Sequence, residues 1–186
     1  MKLKTAIYTR RSVRVYTDEK VSTELLKQLI DAAIQAPSAM NKQPWAFGVI
    51  QDKALLQRLS DEAKEHLLAL IPEKPYLETY KPIFTNPDFN IFYNATTLLT
   101  VLAKPEGPNP SCDATIAAQN IMLTAHSLGL GSCWIGFAQI ILNTPAIKKE
   151  LAIPADYLVV APLIIGYPAK ELGPIKKHEP EMLFWQ

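Results

Sequence analysis

The chain has 186 residues, 48% of them hydrophobic and 20% charged, with a formal net charge of +1. That suffices for one domain with a substantial core and is the balance of an ordinary globular protein. Near-neutrality argues against a nucleic-acid binder, which would carry a basic face and a high pI, but it leaves room for a locally basic pocket.

No apolar run approaches the roughly 20 residues that a membrane span needs. Lys2 and Lys4 are followed by no apolar segment of the kind a signal peptide carries. Cys112 and Cys133 have neither CxxC nor Cys/His ligand spacing, so two reduced, partly buried thiols in a cytoplasmic protein are expected, and no metal site. Fifteen prolines against seven glycines imply stiff loops.

In chain order, Leu3 to Arg10 reads as a short helix, and Arg10-Arg11-Ser12-Val13-Arg14 follows at its end. Cations there complement the helix macrodipole, which suits a solvated cap. Guanidinium groups and a serine hydroxyl also suit a clamp for a phosphate dianion. Val21 to Ala36 is the second helix, with Leu25, Leu26, Leu29, Ile30, Ala33 and Ile34 on one face and Ser22 as N-cap.

Pro37 ends that helix, and the connection Ala36 to Trp45 is crowded with Ser38, Asn41 and Gln43. Such side chains satisfy their own loop backbone, or they present donor and acceptor together to the edge of a planar heterocycle. Trp45 to Gln51 is apolar throughout, as in a strand buried on both faces. Asp52 caps a third helix running to Leu70, on which His66 is a half-buried helix residue and not a ligand.

Residues 71–94 change character: Pro72, Pro75, Pro82 and Pro87 interrupt Tyr76, Tyr80, Phe84, Phe89, Phe92 and Tyr93. A long irregular segment of this kind is either a lid or substrate-channel wall, or a surface wrap packed by its own aromatics. Thr96 to Ala103 is a second buried strand. Asp113 to Leu128 is a helix apolar on most sides, which belongs in a core or at a subunit interface. Gln119, Asn120 and His126 are its polar exceptions, expected to hydrogen-bond inside the core.

Gly129 closes that helix, and Gly129-Leu130-Gly131-Ser132-Cys133-Trp134-Ile135-Gly136 follows. Its spacing is not GxGxxG, and it follows a helix and leads into a strand, so a dinucleotide fingerprint is excluded. Close approach of backbone to a flat ligand is a better use for Gly136. Pro145 to Leu151 is a short helix and Tyr157 to Tyr167 a third strand, in which Pro162 implies an irregularity or a sheet edge. The tail Pro168 to Gln186 ends in Leu183-Phe184-Trp185, which should pack on something. Strands and helices alternate too irregularly for repeated crossovers, so the fold class is α+β: one mixed sheet flanked by helices, in a single domain.

Four stretches, RRSxR at Arg10 to Arg14, APSxxNxQPW at Ala36 to Trp45, SLGLGSCWIG, and IIGYPAK before a basic tail, together resemble the nitroreductase family of flavin mononucleotide (FMN) enzymes. The resemblance implies an intertwined homodimer with flavin sites at the interface. It implies that Arg10, Ser12 and Arg14, with Arg11 nearby, hold the FMN phosphate and ribityl chain, with Lys176 or Lys177 adding cations. Pro37, Ser38, Met40 and Asn41 would line the isoalloxazine from the partner subunit, with Gln43 close by, and Ile135 and Gly136 would pack against the flavin. The tail reads KKH where relatives carry an arginine, and residues 71–94 match no subfamily pattern.

The implied chemistry is a two-step reduction. NADH or NADPH reduces the flavin, which then reduces a small acceptor such as a nitroaromatic or a quinone, so no catalytic side chain is required. A flavin store or sensor, a flavin-remodelling or dehalogenating relative, and a cofactor-free interaction domain are the rival readings.

Overall fold

The computed structural model describes all 186 residues. Its centre is a four-stranded sheet in the order β1 (Trp45–Ile50), β2 (Thr97–Ala103), β4 (Leu158–Gly166), β3 (Gly131–Trp134), each neighbouring pair antiparallel. The parallel contribution is a single bridge, Ser12 to Ser132.

Side chains of a strand alternate between faces, and the sheet uses both. Leu99, Val101, Leu163 and Ile165 face a layer made by α2 (Thr23–Ala33) and α5 (Pro110–Ser127). Leu98, Leu102, Val159 and Ile164 face a second layer containing α3 (Lys53–Ala69), α6 (Gly136–Leu142) and α7 (Pro145–Glu150). The fold is therefore α+β, a sheet between two helical layers.

The N-caps are where the side-chain chemistry places them. Ser22 Oγ accepts from Leu25 N at 3.3 Å, and Asp52 Oδ1 accepts from Ala54 N and Leu55 N at 2.8 and 3.0 Å. Gly129 closes α5 at φ +79°.

Other expectations are corrected. Strand β1 is a sheet edge and only half covered, because it has a neighbour on one side alone. Pro162 instead lies in an interior strand, and the irregularity beside it is a register shift that leaves Val160 unpaired between Val159 and Ala161. Helix α5 exposes Cys112, Ile116 and Gln119, so Cys112 is an exposed thiol and Gln119 makes no core hydrogen bond. Asn120 does: its Nδ2 donates to Ala32 O at 3.0 Å.

The run from Gly129 to Gly136 contains the strand itself and opens α6, because β3 needs only four residues to pair with β4. Residues 71–94 are not irregular throughout. They hold a 3₁₀ turn, Pro75–Tyr80, and one turn of helix α4, Lys81–Phe84.

Helix α3 holds this segment in place. Ser60 Oγ accepts from Ile91 N, Asn90 Nδ2 donates to Gln57 Oε1, and Lys64 Nζ donates to Phe89 O, all at 2.9 Å. Lys64 is 6% exposed and also meets Asp61 at 3.0 Å. Beyond Lys170 every tail residue is exposed, Trp185 to 89%, although Gly173 O still accepts from Arg11 Nε.

Candidate functional site

After α1 (Leu3–Thr9) the chain extends and runs between the start of β3 and the end of β4. Val13 N donates to Ser132 O at 3.0 Å, Thr17 N to Tyr167 O at 2.9 Å, and Ala169 N to Val15 O at 3.0 Å. Two glycines paired in register, Gly131 and Gly166, admit it. A Cβ on Gly131 would meet Val13 at 2.7 Å, and one on Gly166 would meet the Tyr16 ring at 2.8 Å. Three segments far apart in sequence, Arg10–Tyr16, Gly131–Gly136 and Pro168–Leu172, are thereby brought together.

Two cavities flank this junction. One, of about 670 Å³, is lined by Arg10, Arg11, His126, Ser132 and Lys170 among others. The other, of about 380 Å³, is mostly apolar and is lined by Arg14, Tyr76, Tyr93, Ile135, Gly136 and Phe137 among others. An extended stretch of four residues spans roughly 13 Å, and over it the chain passes from Arg10 at the first cavity to Arg14 at the second.

The first cavity is cationic. Arg11 is spent on the backbone: Nη1 donates to Tyr8 O and Arg10 O at 2.9 and 2.8 Å, and Nε to Gly173 O at 3.1 Å. It thus caps α1 and ties down the start of the tail. Arg10 has no such ties. Ser132 Oγ is buried and has no hydrogen-bond partner, an uncommon state for a buried hydroxyl. Burial, and after it the charges of Arg10 and Arg11, hold the His126 imidazole below its ordinary range. It lines this cavity and meets Thr9 Oγ1 at 2.7 Å, in place of the core hydrogen bond expected of it.

In the second cavity the Arg14 guanidinium stands 5.8 Å from the centre of the Tyr93 ring. Phe137 meets Tyr80 and Phe84 edge-on, with centroids 5.2 and 5.0 Å apart. Segment 71–94 therefore supplies part of the wall through Tyr76, Leu77, Ile91 and Tyr93. Burial pushes the Cys133 thiol up; Arg14, a hydrogen bond with Ser12 and Arg10 oppose it less strongly. That leaves a neutral thiol, which is a poor nucleophile. Gly136 opens α6, so its N–H has no intrahelical acceptor, and nothing occupies the space a Cβ there would take.

The other sequence candidates lie elsewhere. Pro37, Ser38, Met40, Asn41 and Gln43 line neither cavity. Their loop is satisfied locally: Gln43 N donates to Ser38 Oγ at 2.9 Å, Gln43 Nε2 to Asn41 Oδ1 at 3.0 Å, and Ala39 N to Asp113 at 3.2 Å. Met40, Asn41 and Gln43 have φ of 50, 53 and 49°, three left-handed non-glycine residues in one short loop, which stores strain. Lys176, Lys177 and His178 are exposed in the tail and line neither cavity. Ser132 and Lys170 lie within the SLGLGSCWIG and IIGYPAK stretches, but the resemblance gives neither a role; only the folded chain brings them to the cavity that Arg10 lines.

The residues present suit a phosphorylated planar cofactor: a cationic pocket with an orphaned hydroxyl at one end, and an apolar, aromatic-walled pocket with an open glycine at the other. Comparison with known proteins agrees. Residues 7–167 match the model of the nitroreductase family. A protein of Archaeoglobus fulgidus with the provisional name NADH dehydrogenase/NAD(P)H nitroreductase is 32% identical, over 89% of this chain and 84% of its own length. The nitrobenzene nitroreductase of Ectopseudomonas oleovorans is 30% identical, over 87% of this chain and 84% of its own. The crystal structure of a nitroreductase with bound FMN from Desulfitobacterium hafniense superposes over the whole of both chains with a TM-score of 0.83, at 26% identity. This chain is a member of the nitroreductase family.

Proposed function

We propose that this protein is an FMN-dependent oxidoreductase that draws electrons from NADH or NADPH and reduces small acceptors of the nitroaromatic or quinone kind. One observation carries the reading: a single extended segment places Arg10 at a cationic cavity and Arg14 at an apolar one, with Ser12 between them. Bound FMN would supply a carrier that accepts a hydride and passes electrons on.

The chain's own residues do the rest. Arg10 neutralises the phosphate, Ser12 meets the ribityl chain, and Arg14 faces the ring, where a cation stabilises negative charge. Ile135 and Gly136 offer a flat surface, with the free Gly136 N–H as a donor. Tyr76, Tyr93 and Phe137 exclude water from the acceptor's side and favour planar apolar molecules. Lys176 or Lys177, exposed in the tail, would add to the phosphate site.

Two copies of the chain would complete each site. The Pro37–Gln43 loop stands away from both cavities with Met40 exposed, and Leu183, Phe184 and Trp185 are left uncovered. A partner's loop closing over the cavities and a partner's surface receiving the tail would use both. No helix is long and apolar enough to cross a membrane, and the two free thiols suit a reducing cytoplasm.

Purified protein should be yellow, absorbing at roughly 450 nm as flavins do, and that band should bleach on mixing with NADH or NADPH in stopped flow. Sedimentation should give twice the 20.7 kDa chain mass. Protein that stays colourless and takes up no added FMN removes the reading. A bound flavin that neither nicotinamide bleaches would favour a flavin store or sensor.

A further inference from the structure

We infer that Ser132 and His126 complete the phosphate site of the cationic cavity, adding a neutral hydroxyl and an imidazole to the arginine cluster. The inference rests on the proposed FMN function and names two ligands to which the family resemblance gives no role.

Ser132 is 2% exposed, its hydroxyl has no protein partner, and it lines the same cavity as Arg10 and Arg11. A buried hydroxyl without a partner is destabilising, and natural proteins seldom keep one without a use. The neighbouring glycines at 129 and 131 line the cavity beside it. A phosphate oxygen is an acceptor suited to this donor.

His126 reaches the cavity from α5. Thr9 Oγ1 donates its one hydrogen to Thr5 O at 2.7 Å, so His126 Nε2, also 2.7 Å from Thr9 Oγ1, is the donor of that pair. The hydrogen sits on Nε2 and Nδ1 is left to take a proton. Arg10 and Arg11 disfavour that proton, while Lys170, Glu171 and the Met1 amino group also line the cavity, two cations and one anion. A phosphate dianion neutralises the arginine field, and the imidazole can then be protonated and donate from Nδ1. Linkage is reciprocal, so protonation of His126 must strengthen phosphate binding by the factor by which phosphate raises the affinity for that proton.

The test is a titration of flavin-free protein with FMN and with riboflavin, which lacks the phosphate, followed by quenching of flavin fluorescence between pH 5.5 and 8.5. Ser132→Ala is expected to weaken FMN binding by about tenfold, the scale of a hydrogen bond to a charged group, at every pH. It should leave riboflavin affinity unchanged and leave the melting temperature of the flavin-free protein unchanged or higher. A merely structural serine would lower that temperature instead. His126→Gln should weaken FMN binding several-fold at pH 5.5 and not at pH 8.5; because the phosphate itself ionises near pH 6, the ratio of variant to wild type at each pH is the readout. In wild-type protein, inorganic phosphate should move the His126 NMR titration to higher pH. Wild-type FMN affinity in both variants at all pH values overturns the inference and leaves the cofactor assignment standing. Wild-type protein that binds no FMN overturns both.

Discussion

Val13 fills the space that a side chain at position 131 would need: a Cβ on Gly131 would stand 2.7 Å from a Val13 methyl. This contact sets the arginine-bearing segment against β3. Val13 is β-branched and stiff at χ1, so it has no cheap way to move aside. Gly131→Ala should therefore push the segment off the strand, costing about 1–3 kcal/mol of stability, as overpacking does. FMN affinity should fall with it. Urea denaturation and a flavin titration on one preparation check both, and a variant of wild-type stability would show that the segment is free to shift.

The two free arginines should separate by the part of the ligand they meet. Arg10→Ala and Arg14→Ala should each weaken FMN binding by about 1–3 kcal/mol, the scale of charge-assisted hydrogen bonds. Riboflavin binding should be spared by the first and impaired by the second. Arg11 donates its hydrogen bonds to Tyr8, Arg10 and Gly173 carbonyls. Arg11→Ala is thus expected to lower stability by about 1 kcal/mol, as the loss of a helix C-terminal cation does, with a smaller effect on FMN.

Phe137 joins the aromatic segment to the cavity wall. Phe137→Ala forfeits two edge-on ring pairs, each worth about 0.5–1.5 kcal/mol. Melting temperature should drop accordingly. In steady-state assays KM for apolar aromatic acceptors should rise more than kcat falls, because the wall contributes binding and no charge. Equal kinetics for both forms would detach this wall from the acceptor.

Lys64 holds the carbonyls of Phe89 and Asn86 from inside the protein. Lys64→Met keeps the aliphatic volume but leaves those carbonyls unpaired, at about 1–3 kcal/mol for a buried acceptor. Hydrogen exchange should speed up at residues 86–92 before the sheet is affected. Uniform acceleration across the chain would instead mean that Lys64 supports the global fold.

His126 ties stability to pH in a definite direction. Its folded pKa lies below the unfolded value of 6.5, chiefly through burial and then through Arg10 and Arg11. The unfolded chain therefore binds more protons just below pH 6.5. The contribution of His126 to stability is complete above that value and declines as pH falls toward the folded pKa. Denaturation of flavin-free protein between pH 5 and 8 should show this loss, and His126→Gln should flatten it. Saturating FMN should reduce it as well.

Local chemistry is legible residue by residue. Ser22 and Asp52 act as caps because a hydroxyl or carboxylate can meet helix N–H groups only a few residues away. Gly129 takes positive φ where α5 must stop. Strand β2 is wholly buried, as its mostly apolar sequence implies, with Thr97 and Thr100 buried among the aliphatic residues. The same rule misplaces Trp45–Ile50, because an apolar run reports burial appetite and not position, and this strand is left at the sheet edge. Of the two readings Pro162 allowed, the irregularity holds and the edge does not: β4 bulges at Val160, close by, inside the sheet.

The candidate site divides in the same way. Arg10, Ser12 and Arg14 announce themselves as a cluster, since three arginines within five residues are conspicuous on a nearly neutral chain. Ser132, His126, Lys170 and Phe137 do not, because each is an ordinary residue for its element.

What the order of amino acids determined by itself was everything carried by neighbours along the chain: helix ends, apolar faces, the cationic string and the family to which they point. Which of those pieces would meet was decided by packing. Gly131 and Gly166 had to lie opposite each other in register before Val13 and Tyr16 could settle on them, and only that settlement put the two cavities on either side of the arginines. Contacts between residues more than a hundred positions apart depend on how whole layers stack, a sum over many side chains that no short stretch encodes.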